Sequence, residues 1–176
     1  MPSGIQIDGQ DLYEQQKARR TARKYPLAPT IVAINLQVPD NIGSVLRLAD
    51  AAGSSSVIFT GATDIDFKRV HKTARNCEAL VEWDVCTIEQ FIDKANAFQP
   101  LVAIEITAKS TNIFETTLPD ICTFVIGNER YGIPDVLLSK CSQAIHIPMY
   151  GTNGSMNVTH ALSIALFEWR RQKAHF

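Results

Sequence analysis

Apolar positions along the chain fall into two alternating periods. Residues 30–36 (TIVAINL) are β-branched and continuously apolar, the pattern of a strand buried on both faces. Over 42–52, Ile42, Val45, Leu46, Leu48 and Ala49 recur at helical spacing, and Gly53 stands where such a helix would stop. A strand is predicted over 56–59, ending at Thr60-Gly61, then a helix over 67–76 and a strand over 80–85. Thr87 with Gln90 three residues on is a capping box opening a helix over 87–98. Strands over 101–106 and 121–126 follow, then a short helix over 134–140 with Pro134 near its start. A strand over 144–147 and a long helix over 157–171 complete the chain. This alternation predicts an α/β fold with a mostly parallel sheet covered by helices on both faces.

Ahead of that pattern, residues 11–24 (DLYEQQKARRTARK) hold good helix formers without Gly or Pro, until Pro26 and Pro29. Lys17, Arg19, Arg20, Arg23 and Lys24 make it strongly basic. Two readings stand: a solvated surface helix, or an arm that contacts RNA. The chain divides into a basic helical extension over 1–28 and one domain over 29–176.

A length of 176 residues with 45% hydrophobic and 20% charged residues is ordinary for one globular domain with a sizeable core. Net charge is −1, so a polyanionic partner would have to be held by local clusters of cations. Cys77, Cys86, Cys122 and Cys141 form no C-x-x-C pair and have no histidine at zinc-ligand spacing. Reduced thiols and no metal are expected. No apolar run approaches the roughly 20 residues of a membrane span, and MPSGIQIDGQ does not read as a signal segment. The cytoplasm is the expected compartment.

The chain lacks G-x-G-x-x-G, G-x-x-x-x-G-K-[ST] and G-x-S-x-G, which disfavours an ordinary Rossmann dinucleotide site, a P-loop NTPase and an α/β-hydrolase elbow. Three other stretches place polar residues where a strand hands over to a helix, and open α/β sheets bind ligands there. The first, 38–53, carries Asn41 at a helix start and Arg47 within the helix; alone, these fit a capping asparagine and a surface arginine. The second, 126–134, follows an apolar strand with Gly127, Glu129 and Gly132; alone, it fits a turn. The third, 147–158, leaves a strand through Ile-Pro-Met into a polar loop, where Ser155 or Asn157 caps the last helix.

In this order and spacing the three stretches resemble the motifs of the SpoU/TrmH family in the SPOUT superfamily of RNA methyltransferases. N-x-G-x-x-x-R-x-A-x-x-x-G, from Asn41 to Gly53, resembles the first motif. G-N-E-x-x-G-I, from Gly127 to Ile133, resembles the second. I-P-M with S-M-N-V-T-x-A, from Ile147 to Ala161, resembles the third. The resemblance implies a C-terminal trefoil knot that forms a pocket for S-adenosyl-L-methionine, and a homodimer with the active site near its interface. It implies methylation of a ribose 2′-hydroxyl in RNA, tRNA ahead of rRNA. By the same resemblance Arg47, Asn41, Glu129, Ser155 and Asn157 are catalytic candidates, and Ile104, Gly127, Ile147, Ser155 and Met156 line the cofactor pocket.

Arg47 is the expected activating group. A guanidinium stays protonated, so its expected role is to stabilise a developing alkoxide and hold the neighbouring phosphate, with Asn41 and Glu129 orienting it. The rival readings are an inactive RNA-binding module of the same fold, a knotted methyltransferase acting on a base, and an unrelated α/β nucleotide-binding domain. Presence of all five polar residues favours the enzyme.

Overall fold

The strands form because their β-branched and apolar residues can be covered on both faces. The computed structural model describes residues 8–22, 28–61 and 65–173. Seven parallel strands, β1 (Thr30–Ile34), β2 (Ser56–Thr60), β3 (Glu82–Cys86), β4 (Leu101–Ile104), β5 (Thr111–Asn112), β6 (Thr123–Ile126) and β7 (Gln143–His146), lie in the order β3-β2-β1-β6-β4-β7-β5. The central trio is in register through Val32↔Val125 and Ala103↔Val125.

Side-chain alternation along β1 divides the core. Ile31 and Ala33 pack with α2 (Pro39–Ala52) and α6 (Val158–Lys173) on one face. Val32 and Ile34 pack with Phe91 of α4 (Ile88–Lys94) and Leu137 of α5 (Asp135–Leu138) on the other. Each large apolar side chain so buried contributes roughly 1.5–3 kcal/mol. A further helix, α3 (Phe67–Ala74), lies against α2. Gly43 permits that contact: a Cβ there would sit 2.7 Å from the Val70 carbonyl oxygen and from Thr73 Cβ.

Several boundaries differ from the sequence pattern. β1 and β4 stop at Ile34 and Ile104, short of the predicted ends, because the chain turns at the sheet's carboxyl edge. The predicted helix over 87–98 keeps its Thr87–Gln90 capping box but divides into α4 and a 3-10 turn, Ala95–Phe98. Two-residue β5 was not anticipated, since so short an edge strand has no period to read. Gly53 does end α2, in the left-handed conformation at φ 69°. At the N-terminus, α1 spans Gly9–Ala22, so Arg23 and Lys24 lie outside the described residues. The side chains described in α1 are exposed.

In α6, Leu162, Ala165, Leu166 and Trp169 are fully buried and Val158 is partly so, which makes this apolar stripe part of the core. The connection between β5 and β6 lies along this helix: Trp169 Nε1 donates to the Pro119 carbonyl (2.8 Å). Gln172 accepts from the Leu118 amide (2.9 Å) and donates to the Thr116 carbonyl (2.9 Å).

Candidate active site

The carboxyl ends of β1, β6, β4 and β7 empty into one region, which brings the three motif stretches together. After β6 the chain makes a compact loop. Asn128 and Gly132 exchange two backbone hydrogen bonds of 3.0 Å, and Asn128 Oδ1 accepts from the amides of Arg130 (2.9 Å) and Tyr131 (3.0 Å). Gly132 has φ +66°, the left-handed region that favours glycine, and a Cβ there would push on the Glu105 carboxylate, 2.6 Å away. Asn128 Nδ2 donates to the Asn35 carbonyl (2.6 Å), tying this loop to the end of β1. Sequence reasoning assigned Asn128 no role; its place between glycine and glutamate was the available signal.

That loop holds Glu129 over the start of α2. Its carboxylate accepts from Asn41 Nδ2 (2.7 Å) and from the amides of Gln37 (3.2 Å) and Val38 (3.3 Å). Asn41 is buried and lies inside the first turn, after Pro39; it does not cap the helix through its side chain. Asn41 Oδ1 accepts from Asn157 Nδ2 (3.2 Å). Asn157 Oδ1 in turn accepts from the Thr159 amide (2.8 Å) and hydroxyl (2.7 Å), so Asn157 caps α6. One chain of side-chain hydrogen bonds, Glu129–Asn41–Asn157–Thr159, thus joins residues from all three stretches.

Beside this chain is a cavity of about 320 Å³. Ile104, Gly127, Ile147, Ser155 and Met156, the five expected pocket residues, all line it, together with Glu105 and His146. The Glu105 carboxylate accepts from the Ile133 amide (3.1 Å) and the Ile106 amide (3.0 Å). Gly127 lines the cavity and packs on its own loop: a Cβ would lie 2.3 Å from the Gly132 carbonyl carbon. The Ser110 hydroxyl lies 2.9 Å from the Thr107 carbonyl oxygen and 3.0 Å from His146 Nδ1, which fixes the ring at the cavity wall. The volume is at the lower end of small-molecule sites, about 300–1,000 Å³, and walls that mix apolar side chains (Ile104, Ile147, Met156) with polar ones (Glu105, Asn128, His146) suit a nucleoside-sized ligand.

Ser155 is exposed on the cavity rim. Arg47 stands apart. It is exposed on α2, lines none of the cavity, and forms no hydrogen bond or ion pair among the described residues. Glu129 and Asn41 bond each other and the chain around them, so the expectation that they orient Arg47 is not met within this chain. Of the basic extension, Lys17 lines a small cleft with Tyr13, Gln16 and Asp50; the Arg19 and Arg20 side chains lie outside the described residues.

Burial pushes the Cys122 thiol up to about 12 and the Cys141 thiol up to about 11. Neither is a nucleophile at neutral pH. Among the described residues no group of three or more His, Cys, Asp or Glu side chains could hold a metal, and no helix is long and apolar enough to cross a membrane.

A seven-stranded parallel sheet with a nucleoside-sized cavity at its carboxyl edge is the class that fold and site define. Residues 28–167 match the SpoU rRNA Methylase family, and the chain belongs to that family. It is similar to the AdoMet-bound rRNA methyltransferase of Sinorhizobium meliloti, with TM-score 0.74 and 29% identity over 84% of this chain and 58% of that one. It is 28% identical to the 23S rRNA (guanosine-2′-O-)-methyltransferase RlmB of Neisseria meningitidis, over 77% of this chain and 55% of that protein. It is 26% identical to the tRNA (guanosine(18)-2′-O)-methyltransferase TARBP1 of Mus musculus, over 81% of this chain and 9% of that protein. The chain therefore spans about half the length, or less, of these relatives.

Proposed function

We propose that the protein methylates a ribose 2′-hydroxyl in RNA using S-adenosyl-L-methionine, tRNA ahead of rRNA, as a homodimer with a knotted C-terminal region. The observation that carries this reading is the Glu129–Asn41–Asn157 chain, which assembles the three motifs at the rim of the cavity. Support for the knot and for the dimer is the family resemblance.

The cofactor supplies a methyl group on a sulfonium. In this reading, the backbone of Gly127, Ile147 and Met156 positions the nucleoside, and the Glu105 carboxylate adds negative charge to a wall facing a cation. Asn41 and Asn157 hold the loops that shape the donor side. Arg47, exposed and outside this chain's cavity, acts in this reading at the homodimer interface, where its charge would hold the neighbouring phosphate and stabilise the developing alkoxide. Lys17, Arg19, Arg20, Arg23 and Lys24 form a second contact for RNA in this reading.

The test uses tRNA and rRNA transcripts with methyl-labelled cofactor, reading modified nucleosides by mass spectrometry. A 2′-O-methyl nucleoside is expected. A methylated base would make this a base methyltransferase, and cofactor binding without any transfer would make it a binding module. Arg47→Lys keeps charge but loses the planar fork. It should lower single-turnover rates by about a hundredfold or more, with S-adenosylhomocysteine affinity unchanged.

A further inference from the structure

The outer face of α3 carries exposed cations. Val70 and Ala74 bury the inner side against α2, and Lys68 and Lys72, one turn apart, lie on the opposite side. Arg75 follows at the C-cap with φ 50°. All three are exposed and form no ion pair among the described residues.

Among the described residues the nearby acids have other hydrogen-bond partners or face away, though Asp40 also lies within electrostatic reach of Lys72. Asp66 caps α3, accepting from the amides of Lys68 (3.1 Å) and Arg69 (3.3 Å). Asp40 accepts from Arg69 (2.7 Å) and Thr73 (3.0 Å). Glu78 pairs with His71. Glu82 and Asp84 flank Trp83 on β3, so strand alternation turns them to the face opposite that ring. The Phe67 ring is more than half exposed at the helix start, with its centroid 6.3 Å from that of Trp83.

The helix that carries this face is tied to the candidate active site through its other residues. Asp40 holds α3 through Arg69 and Thr73, and the next residue, Asn41, holds Glu129 at 2.7 Å. We propose that Lys68, Lys72 and Arg75, with the Phe67 ring beside them, form the surface on which the substrate RNA lays its phosphate backbone next to the Asn41–Glu129 junction. Two unpaired ammonium groups at one-turn spacing and a following guanidinium suit successive phosphates, and an exposed aromatic suits an unstacked base. The inference rests on the reading that the chain acts on RNA. It places substrate binding in the catalytic domain, independently of the basic extension over 1–28.

The experiment compares two doubly neutralised variants of the full chain, Lys68→Gln/Lys72→Gln and Lys94→Gln/Lys140→Gln. The second pair lies where α4 and α5 lead into β4 and β7, at the sheet's amino edge, and loses the same charge. Filter binding with an unmodified tRNA transcript is measured from 50 to 300 mM salt. The first variant should bind about tenfold more weakly at low salt, and its log–log salt slope should flatten by about 1.5, the loss of two phosphate contacts. The control should match wild type, and both should bind S-adenosylhomocysteine as wild type does. An α3 variant that matches wild type, or a control that loses equally, would overturn the proposal. A wild type that binds neither RNA nor S-adenosylhomocysteine would instead remove the functional reading beneath it.

Discussion

Asn41→Asp tests the junction on which the site is built. The substitution keeps size and shape but replaces an N–H donor with an oxygen facing Glu129 at 2.7 Å. Removing the hydrogen bond, as Asn41→Ala also does, costs about 2 kcal/mol, since the acceptor is a carboxylate and Asn41 is buried. The aspartate adds like-charge repulsion. At 2.7 Å this amounts to between about 1.5 kcal/mol at a dielectric of 80 and about 6 at 20. Exposure of Glu129 places it toward the lower figure, so about 2 kcal/mol more is expected when both groups are ionised.

The pH dependence of that excess has a definite sign. Two carboxylates in contact raise the folded-state pKa of one of them above the unfolded value near 4. A raised group favours folding below the unfolded pKa, and that contribution is lost as pH rises through the folded one. The aspartate variant should therefore approach the alanine variant near pH 4.5 and fall below it by about 2 kcal/mol at pH 8. Urea unfolding of wild type and both variants at several pH values measures this. Equal stability of the two variants at pH 8 would show that residues 41 and 129 are not held in contact.

Two further outcomes follow from packing. Gly127→Ala places a methyl 2.3 Å from the Gly132 backbone; it should destabilise by roughly 1–3 kcal/mol and weaken S-adenosylhomocysteine binding, read by urea unfolding and calorimetry. Unchanged values would contradict the close approach of the loop. Cys122, buried and with its thiol pushed up to about 12, should react with a disulfide reagent at pH 8 only when urea is added. Rapid labelling of it in the native protein would count against that burial.

What the sequence by itself determined was the layered α/β design. Continuous apolar runs at 30–34, 101–104 and 123–126 have no stable place except in a doubly covered sheet, and the glycine stop at Gly53 and the Thr87–Gln90 cap depend only on neighbours along the chain. The three motifs were legible because residue type and spacing survive without coordinates, and the cavity residues Ile104, Gly127, Ile147, Ser155 and Met156 were found that way. Tertiary structure alone decided which polar side chains meet. Asn41 and Glu129 are 88 residues apart, and Asn41 and Asn157 are 116 apart; no local rule gives such pairings. It also decided that Asn41 joins loops without capping α2, and that the α6 stripe is core. A helical stripe has the same period whether a sheet or a second chain covers it. Arg47 shows the remaining gap: its motif position names it, but its distance from Glu129 and the cavity depends on how α2 is turned against the sheet, which only packing sets.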